Sequence, residues 1–246
     1  MKYTTLAALC ATMFAFAGCV KDDTADVAPA AGKTVIGAGI ADTRTSLGEN
    51  VEGVRKVYWS NGDRINVNGT ASEALADVPA EASSVQFTFD GILNTPYSAV
   101  YPAAIYTDAS TVTLPATQAY AAGSFGANAA PMAAYMNGEG NLQFHHLCAV
   151  VKLSITKESD DNQIAYVEFR GKAGEQVSGK FAIDYETAAL TAAGVADDAD
   201  KAVRVTVKRS LGDEALDVYV VVPAIEYAQG FTVKVADAKG HYMEKS

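Results

Sequence analysis

Three kinds of residue in this 246-residue chain have the types and spacing to do chemistry: a histidine pair, clustered aspartates and single cysteines. His145-His146 invites a metal, but in an extended segment adjacent side chains point to opposite faces. The two imidazoles therefore cannot converge on one ion, and no metal is expected. Asp197-Asp198-Ala199-Asp200 and Asp160-Asp161-Asn162 lack the alternating oxygens and terminal glutamate of a calcium loop, so they read as solvated turns. Cys148 reads as a small buried hydrophobe rather than a thiol nucleophile. Gly37-Ala38-Gly39-Ile40-Ala41-Asp42 imitates a dinucleotide loop, yet Asp42 stands where the third glycine belongs and no helical periodicity follows. Trp59, the single tryptophan, reads as core in preference to a sugar-stacking platform. Asn68-Gly69-Thr70 is a formal glycosylation sequon. There is no nucleophile-elbow motif, zinc-binding helix or phosphate loop, so neither an enzyme nor a cofactor is expected.

The chemistry with a physical address lies near the start. Lys2 precedes the almost unbroken apolar run Tyr3–Ala17, which is shorter than the roughly 20 residues a spanning helix needs and suits a cleaved export signal. The small residues Ala17-Gly18 ahead of Cys19 resemble a bacterial lipoprotein lipobox, with Phe16 where leucine is usual. That resemblance implies cleavage after residue 18 and acylation of Cys19, which would anchor the chain in the outer membrane. Lys21-Asp22-Asp23 is similar to the acidic tag that sends Bacteroidetes lipoproteins to the cell surface, and Asp23-Thr24-Ala25 resembles an O-glycosylation motif of the same group.

The full chain carries a net charge of −10, and loss of Lys2 with the leader makes the mature chain more acidic still. No basic face is available for phosphates, which argues against nucleic acid as a partner. Cys148 is then the sole cysteine besides the anchor, so a disulfide cannot hold the fold and a hydrophobic core must.

These residues need elements to position them. Val20–Lys33 is Ala-, Asp- and Pro-rich and reads as a spacer. Thr34–Ile40 is strand-like. Thereafter the apolar period is two. Val57-Tyr58-Trp59, Ile65–Val67, Val85–Phe89, Tyr97–Tyr101, Val112–Leu114, Leu142–Phe144 and Ala149–Ile155 are short runs bounded by turn residues, whereas Ala119–Asn128 shows no pattern. After the polar Lys157–Gln163 the habit repeats in Tyr166–Phe169, Gly179–Ile183, Val203–Val207, Leu216–Val222 and Phe231–Val235. Short strands at this spacing predict an all-β sandwich class. The division falls at Lys157–Gln163, and His241–Met243 begins a strand close to Ser246, so the second sandwich reads as ending in mid-hairpin.

Four motifs occur in order. They are Val57-Tyr58-Trp59-Ser60-Asn61-Gly62-Asp63-Arg64-Ile65-Asn66-Val67, Pro96–Ala103, Leu114–Tyr120, and Leu142-Gln143-Phe144 leading through His145-His146 to Leu153. Together they resemble the fimbrillin family of Bacteroidetes, in particular the minor-fimbrillin-like lipoproteins, over most of Arg44–Ile155. The resemblance implies two tandem transthyretin-like Greek-key sandwiches: a signal peptide at 1–18, a lipidated tether with a removable strand at 19–44, and domains at 45–158 and 163–246. It implies a structural or adhesive pilus subunit, first held at the outer membrane and later in the fimbrium. By position Arg44 is the protease-processing site, with Arg55 as a second candidate, and the strand containing Val35, Ile36 and Ile40 is the one removed. The partners implied are other pilus subunits, joined by strand addition into the vacated groove. The alternative reading is a permanently anchored surface lipoprotein that binds a host glycan or protein without polymerising.

Overall fold

Alternation of apolar and polar residues builds strands wherever one face meets a core, and strands are nearly all of the regular structure in the computed structural model. It describes residues 32–41, 57–157, 163–194 and 196–246. In chain order the first strands are β1 (Lys33–Ile40), β2 (Asn66–Val67), β3 (Thr70–Ala71), β4 (Ser84–Asp90), β5 (Tyr97–Tyr101), β6 (Tyr106–Asp108), β7 (Thr111–Leu114), β8 (Thr117–Ala121), β9 (Ser124–Phe125), β10 (Met132–Met136) and β11 (Leu142–His146). They continue as β12 (Cys148–Ile155), β13 (Gln163–Gly171), β14 (Gly179–Asp184), β15 (Ala189–Ala192), β16 (Val203–Ser210), β17 (Leu216–Pro223), β18 (Phe231–Asp237) and β19 (Tyr242–Lys245). Two single 3₁₀ turns, Ala103–Ile105 and Ala199–Lys201, are the sole helical elements among the described residues. The expected all-β class is the one the chain adopts.

Among the described residues four sheets form, in the orders β3-β2-β5-β10-β11-β1-β4, β12-β17, β19-β18-β13-β16-β8-β9 and β15-β14-β7-β6. The seven-stranded sheet divides its side chains between two cores, as a period of two requires. Ala99, Tyr101, Met132 and Ala134 enter an aromatic core with Trp59, Phe87, Phe89 and Phe144. The intervening Val100 and Ala133 enter a second core with Leu147, Cys148 and Phe181. A third core, dominated by valine, lies between β17 and the six-stranded sheet. β17 is buried on both faces: Val218, Val220 and Val222 join the third core and Val221 the second.

Three findings differ from the sequence expectations. Pairing crosses the division placed between 45–158 and 163–246: β7 pairs with β14, β8 with β16 and β12 with β17. Lys157–Gln163 is thus not a boundary of hydrogen bonding. A polar stretch reports composition alone, whereas pairing is decided by long-range burial that composition does not report. Ala119–Asn128 is not patternless: its start belongs to β8, held parallel to β16, and Ser124–Phe125 return antiparallel as β9. The buried Gln118 anchors this region by bonding Val221 in both directions, its Nε2 donating to the carbonyl at 2.6 Å and its Oε1 accepting from the amide at 3.0 Å. Finally, Val57-Tyr58-Trp59 is not a strand. Trp59 is buried by ring packing while its backbone runs irregularly.

Candidate functional site

The sequence singles out Val35, Ile36 and Ile40, and the structure places all three on β1, inside a sheet rather than at its margin. β1 runs antiparallel to β4 over seven residue pairs, from Lys33↔Asp90 to Gly39↔Ser84. On its other side it runs parallel to β11 over only three, Ala38↔Leu142 to Ile40↔Phe144. β4 has no other strand partner among the described residues. Taking β1 away therefore opens a slot between β4 and β11 and leaves β4 joined to the sheet by no ladder.

Ile36 and Ala38 are 4% and 0% exposed and join the aromatic core, with Ile40 packed against it. Val35 lies on the opposite face and is partly exposed. Beneath the slot Trp59 makes three edge-to-face contacts, with Phe87, Tyr101 and Phe144, at centroid separations of 5.2 to 5.5 Å. On the outer face Gly37 and Gly39 allow close approach: the Asn141 amide occupies the place a Cβ at 37 would take, and Gln143 comes within 3.1 Å of one at 39. The glycine spacing that imitates a phosphate loop is thus a strand device.

Both ends of β1 are tied. The Thr34 hydroxyl donates to the Gly91 carbonyl at 2.8 Å and accepts from the Leu93 amide at 3.0 Å. Lys33 pairs with Glu73 and, at 3.4 Å, with Asp90, and its hydrogen bonds to these carboxylates hold its pKa up. At the far end Ala41 donates to the Phe144 carbonyl at 2.9 Å.

The Gly-Asp-x-Ile-x-Val motif has a structural explanation here. Ile65 and Val67 are fully buried, and Asp63 is nearly so. Its carboxylate accepts from the Ser60 amide and from the Tyr101 hydroxyl, each at 2.8 Å. Burial pushes the Asp63 pKa up, against the opposing effect of these two bonds, and burial beside that carboxylate raises Tyr101 as well.

A second opening was missed from sequence. The outer edge of β12 has no strand partner among the described residues, and a groove of about 730 Å³ runs between it and β18–β19. Leu153, Ile155 and Val235 line it, together with Tyr242 and Met243, which are 63% and 60% exposed. The available signal was the apolar alternation of Ala149–Ile155, which announces a strand without saying which edge goes uncovered.

Cys19, Lys21, Asp22, Asp23, Arg44 and Arg55 lie outside the described residues, as do Asp160-Asp161-Asn162 and Asp23-Thr24-Ala25. His145 and His146 end β11 at consecutive positions and so face apart. The exposed Asp197 accepts at Oδ1 from the Ala199 and Asp200 amides. Cys148 is buried, and burial pushes its thiol pKa up. Asn68 is fully engaged: its amide donates to the Asn94 and Pro96 carbonyls and accepts from the Ser98 N–H.

No protein-family model and no curated protein matches the chain. Among solved structures, the chain is similar to one from Bacteroides ovatus ATCC 8483 named as a "putative cell adhesion protein". The two are 13% identical, with 86% of this chain and 84% of that one covered at a TM-score of 0.48.

Proposed function

We propose that this chain is a structural or adhesive subunit of a surface fibre, made as a lipoprotein anchored through Cys19 and assembled by exchange of β1 after cleavage at Arg44. The observation that carries the reading is the position of β1: an interior strand over an aromatic core, the sole strand partner of β4 among the described residues, and separated from Arg44 in the sequence by three residues, 41–43. While the backbone is intact, chain continuity keeps β1 at a high effective concentration beside its slot, and a cut after Arg44 removes that advantage. A strand from another subunit, with apolar residues at alternate positions, then competes on equal terms. β1 is a modest competitor, because glycine within a strand costs roughly 0.5–1 kcal/mol each relative to alanine, and it has two, Gly37 and Gly39. The proposal includes no catalytic role, no cofactor and no nucleic-acid partner.

Arg44→Ala tests it. The variant is expected to accumulate as lipidated precursor and to stop fibre growth, with Arg55→Ala without effect unless that second site is used. Fibres whose subunits retain residues 20–44 would overturn the exchange. Mass spectrometry of the mature N-terminus tests the anchor, which fails if Cys19 carries no acyl chain.

The open groove beside β12 favours a second reading. Among the described residues it is open without any cleavage, and an edge that has no strand partner there suits an extended peptide. A permanently anchored lipoprotein that captures a segment of a host protein would use it directly, and the retention of residues 20–44 would then be the expected result.

A further inference from the structure

Three Asn-Gly pairs occur in the chain, Asn61-Gly62, Asn68-Gly69 and Asn137-Gly138. Such a pair carries its own reactivity, because glycine leaves the following backbone nitrogen sterically free to approach the asparagine side chain. The structure treats the three differently. Gly62 donates its N–H to the Leu75 carbonyl at 2.8 Å, and the Asn61 Oδ1 accepts from the Val78 amide at 2.8 Å. Gly69 donates to the Asn66 Oδ1 at 2.9 Å, and every polar atom of the Asn68 side chain is bonded to the 94–98 segment. In both pairs the attacking nitrogen and the amide it would attack are held in other bonds.

Asn137-Gly138 has none of this. The pair lies in the bend between β10 and β11, with Asn137 exposed and Gly138 at φ +131°. Among the described residues neither the Asn137 amide nor the Gly138 N–H has a hydrogen-bond partner. We infer that Asn137 is a site of spontaneous covalent modification in the folded protein, and that the fold protects Asn61 and Asn68 from the same reaction. The Gly138 nitrogen, having lost its proton to base, bonds to the Asn137 side-chain carbonyl carbon. The carbon–Nδ2 bond breaks, and ammonia leaves with a proton from water. Water then opens the cyclic imide at either carbonyl, giving aspartate or isoaspartate. No electron is transferred, and water is the only co-reactant.

The product places a new carboxylate beside Glu139, and the isoaspartyl form lengthens the backbone of the turn that leads into β11. Asn141, which covers Gly37 of β1, belongs to this same turn. The modification is thus a slow, age-dependent change at the border of the β1 slot, and it does not depend on the fibre reading.

The test is peptide mass mapping of the full chain held folded in mildly alkaline and mildly acid buffer, beside a guanidinium-unfolded control. The expected result is amide loss confined to the Asn137 peptide in folded protein, faster in alkali, with all three peptides converting together once unfolded. Asn137→Gln, whose longer side chain would have to close a larger ring, should abolish the folded-state change. An Asn137 that keeps its amide while the unfolded control converts would overturn the inference. So would Asn61 or Asn68 converting as fast as Asn137 in the folded protein.

Discussion

The slot under β1 and the groove beside β12 are openings of the same kind, and they differ in who fills them. Each offers an unsatisfied strand edge over apolar side chains, the combination that invites another strand. In the slot the chain supplies its own occupant, and Ile36 and Ala38 disappear from solvent. In the groove nothing is supplied among the described residues, and Tyr242 and Met243 stay mostly exposed. The edge chemistry is shared, so the difference lies in local chain. Under the proposed function a cut after Arg44 would release β1 from its sheet, whereas the edge of β12, which has no strand partner among the described residues, would need no such step. On that reading the first opening would serve regulated assembly and the second immediate capture.

If that contrast is right, residues of the slot behave as core and residues of the groove do not. The largest effect is expected for Trp59→Ala, which removes three aromatic contacts beneath β1 and should lower stability by about 3–5 kcal/mol in urea unfolding. A loss below ~1 kcal/mol would mean that the slot floor is not a packed core. Ile36→Ala comes next, at about 2–5 kcal/mol. It acts on β1 itself, so it should also speed the exchange of a labelled β1 peptide after cleavage at Arg44.

Asp63 separates the regions by pH. Because burial raises its native pKa, the native state holds the proton more tightly than the unfolded chain. The stability it contributes is full below the ordinary carboxyl value of about 3.9, and it is lost as pH rises through the raised native value. Asp63→Asn keeps a partner for both the Ser60 amide and the Tyr101 hydroxyl, and should flatten this slope in mildly acidic urea titrations. Asp63→Ala leaves the buried Tyr101 hydroxyl unmet, at about 1–3 kcal/mol, and costs less at the Ser60 amide, whose bond is only partly buried. A pH profile unchanged by Asp63→Asn would show that another group carries it.

Much of the strand content was legible because one-faced burial writes a period of two. Val85–Phe89 lies within β4, Val203–Val207 within β16 and Phe231–Val235 within β18. β1 was legible as a strand by the same rule. Its seat between β4 and β11 was not, since partners more than forty residues away leave no local trace. Trp59 shows the converse failure. Its burial was readable from its size and apolar neighbours, yet burial came from ring packing without a strand. β8 escaped notice because all its positions but Tyr120 are small or polar, and its place depends on Gln118 reaching Val221, a contact between residues 103 apart in sequence. Of the groove only the strand was legible, in the alternation of Ala149–Ile155: an uncovered edge is a property of what fails to pair.

The smallest effect belongs to that groove, and it is the one that most sharpens the contrast. Met243→Ser removes an apolar side chain of a strand whose only strand partner among the described residues is β18. A residue that is 60% exposed has little burial to lose, so the change should stay within about 0.5 kcal/mol in urea unfolding. An extended peptide bound at β12 would cover Met243, and the same substitution should then weaken the peptide's affinity while leaving the free protein's stability unaltered. A loss of stability comparable to that of Ile36→Ala would place Met243 in a core, and the groove would have to be counted as a closed part of the fold.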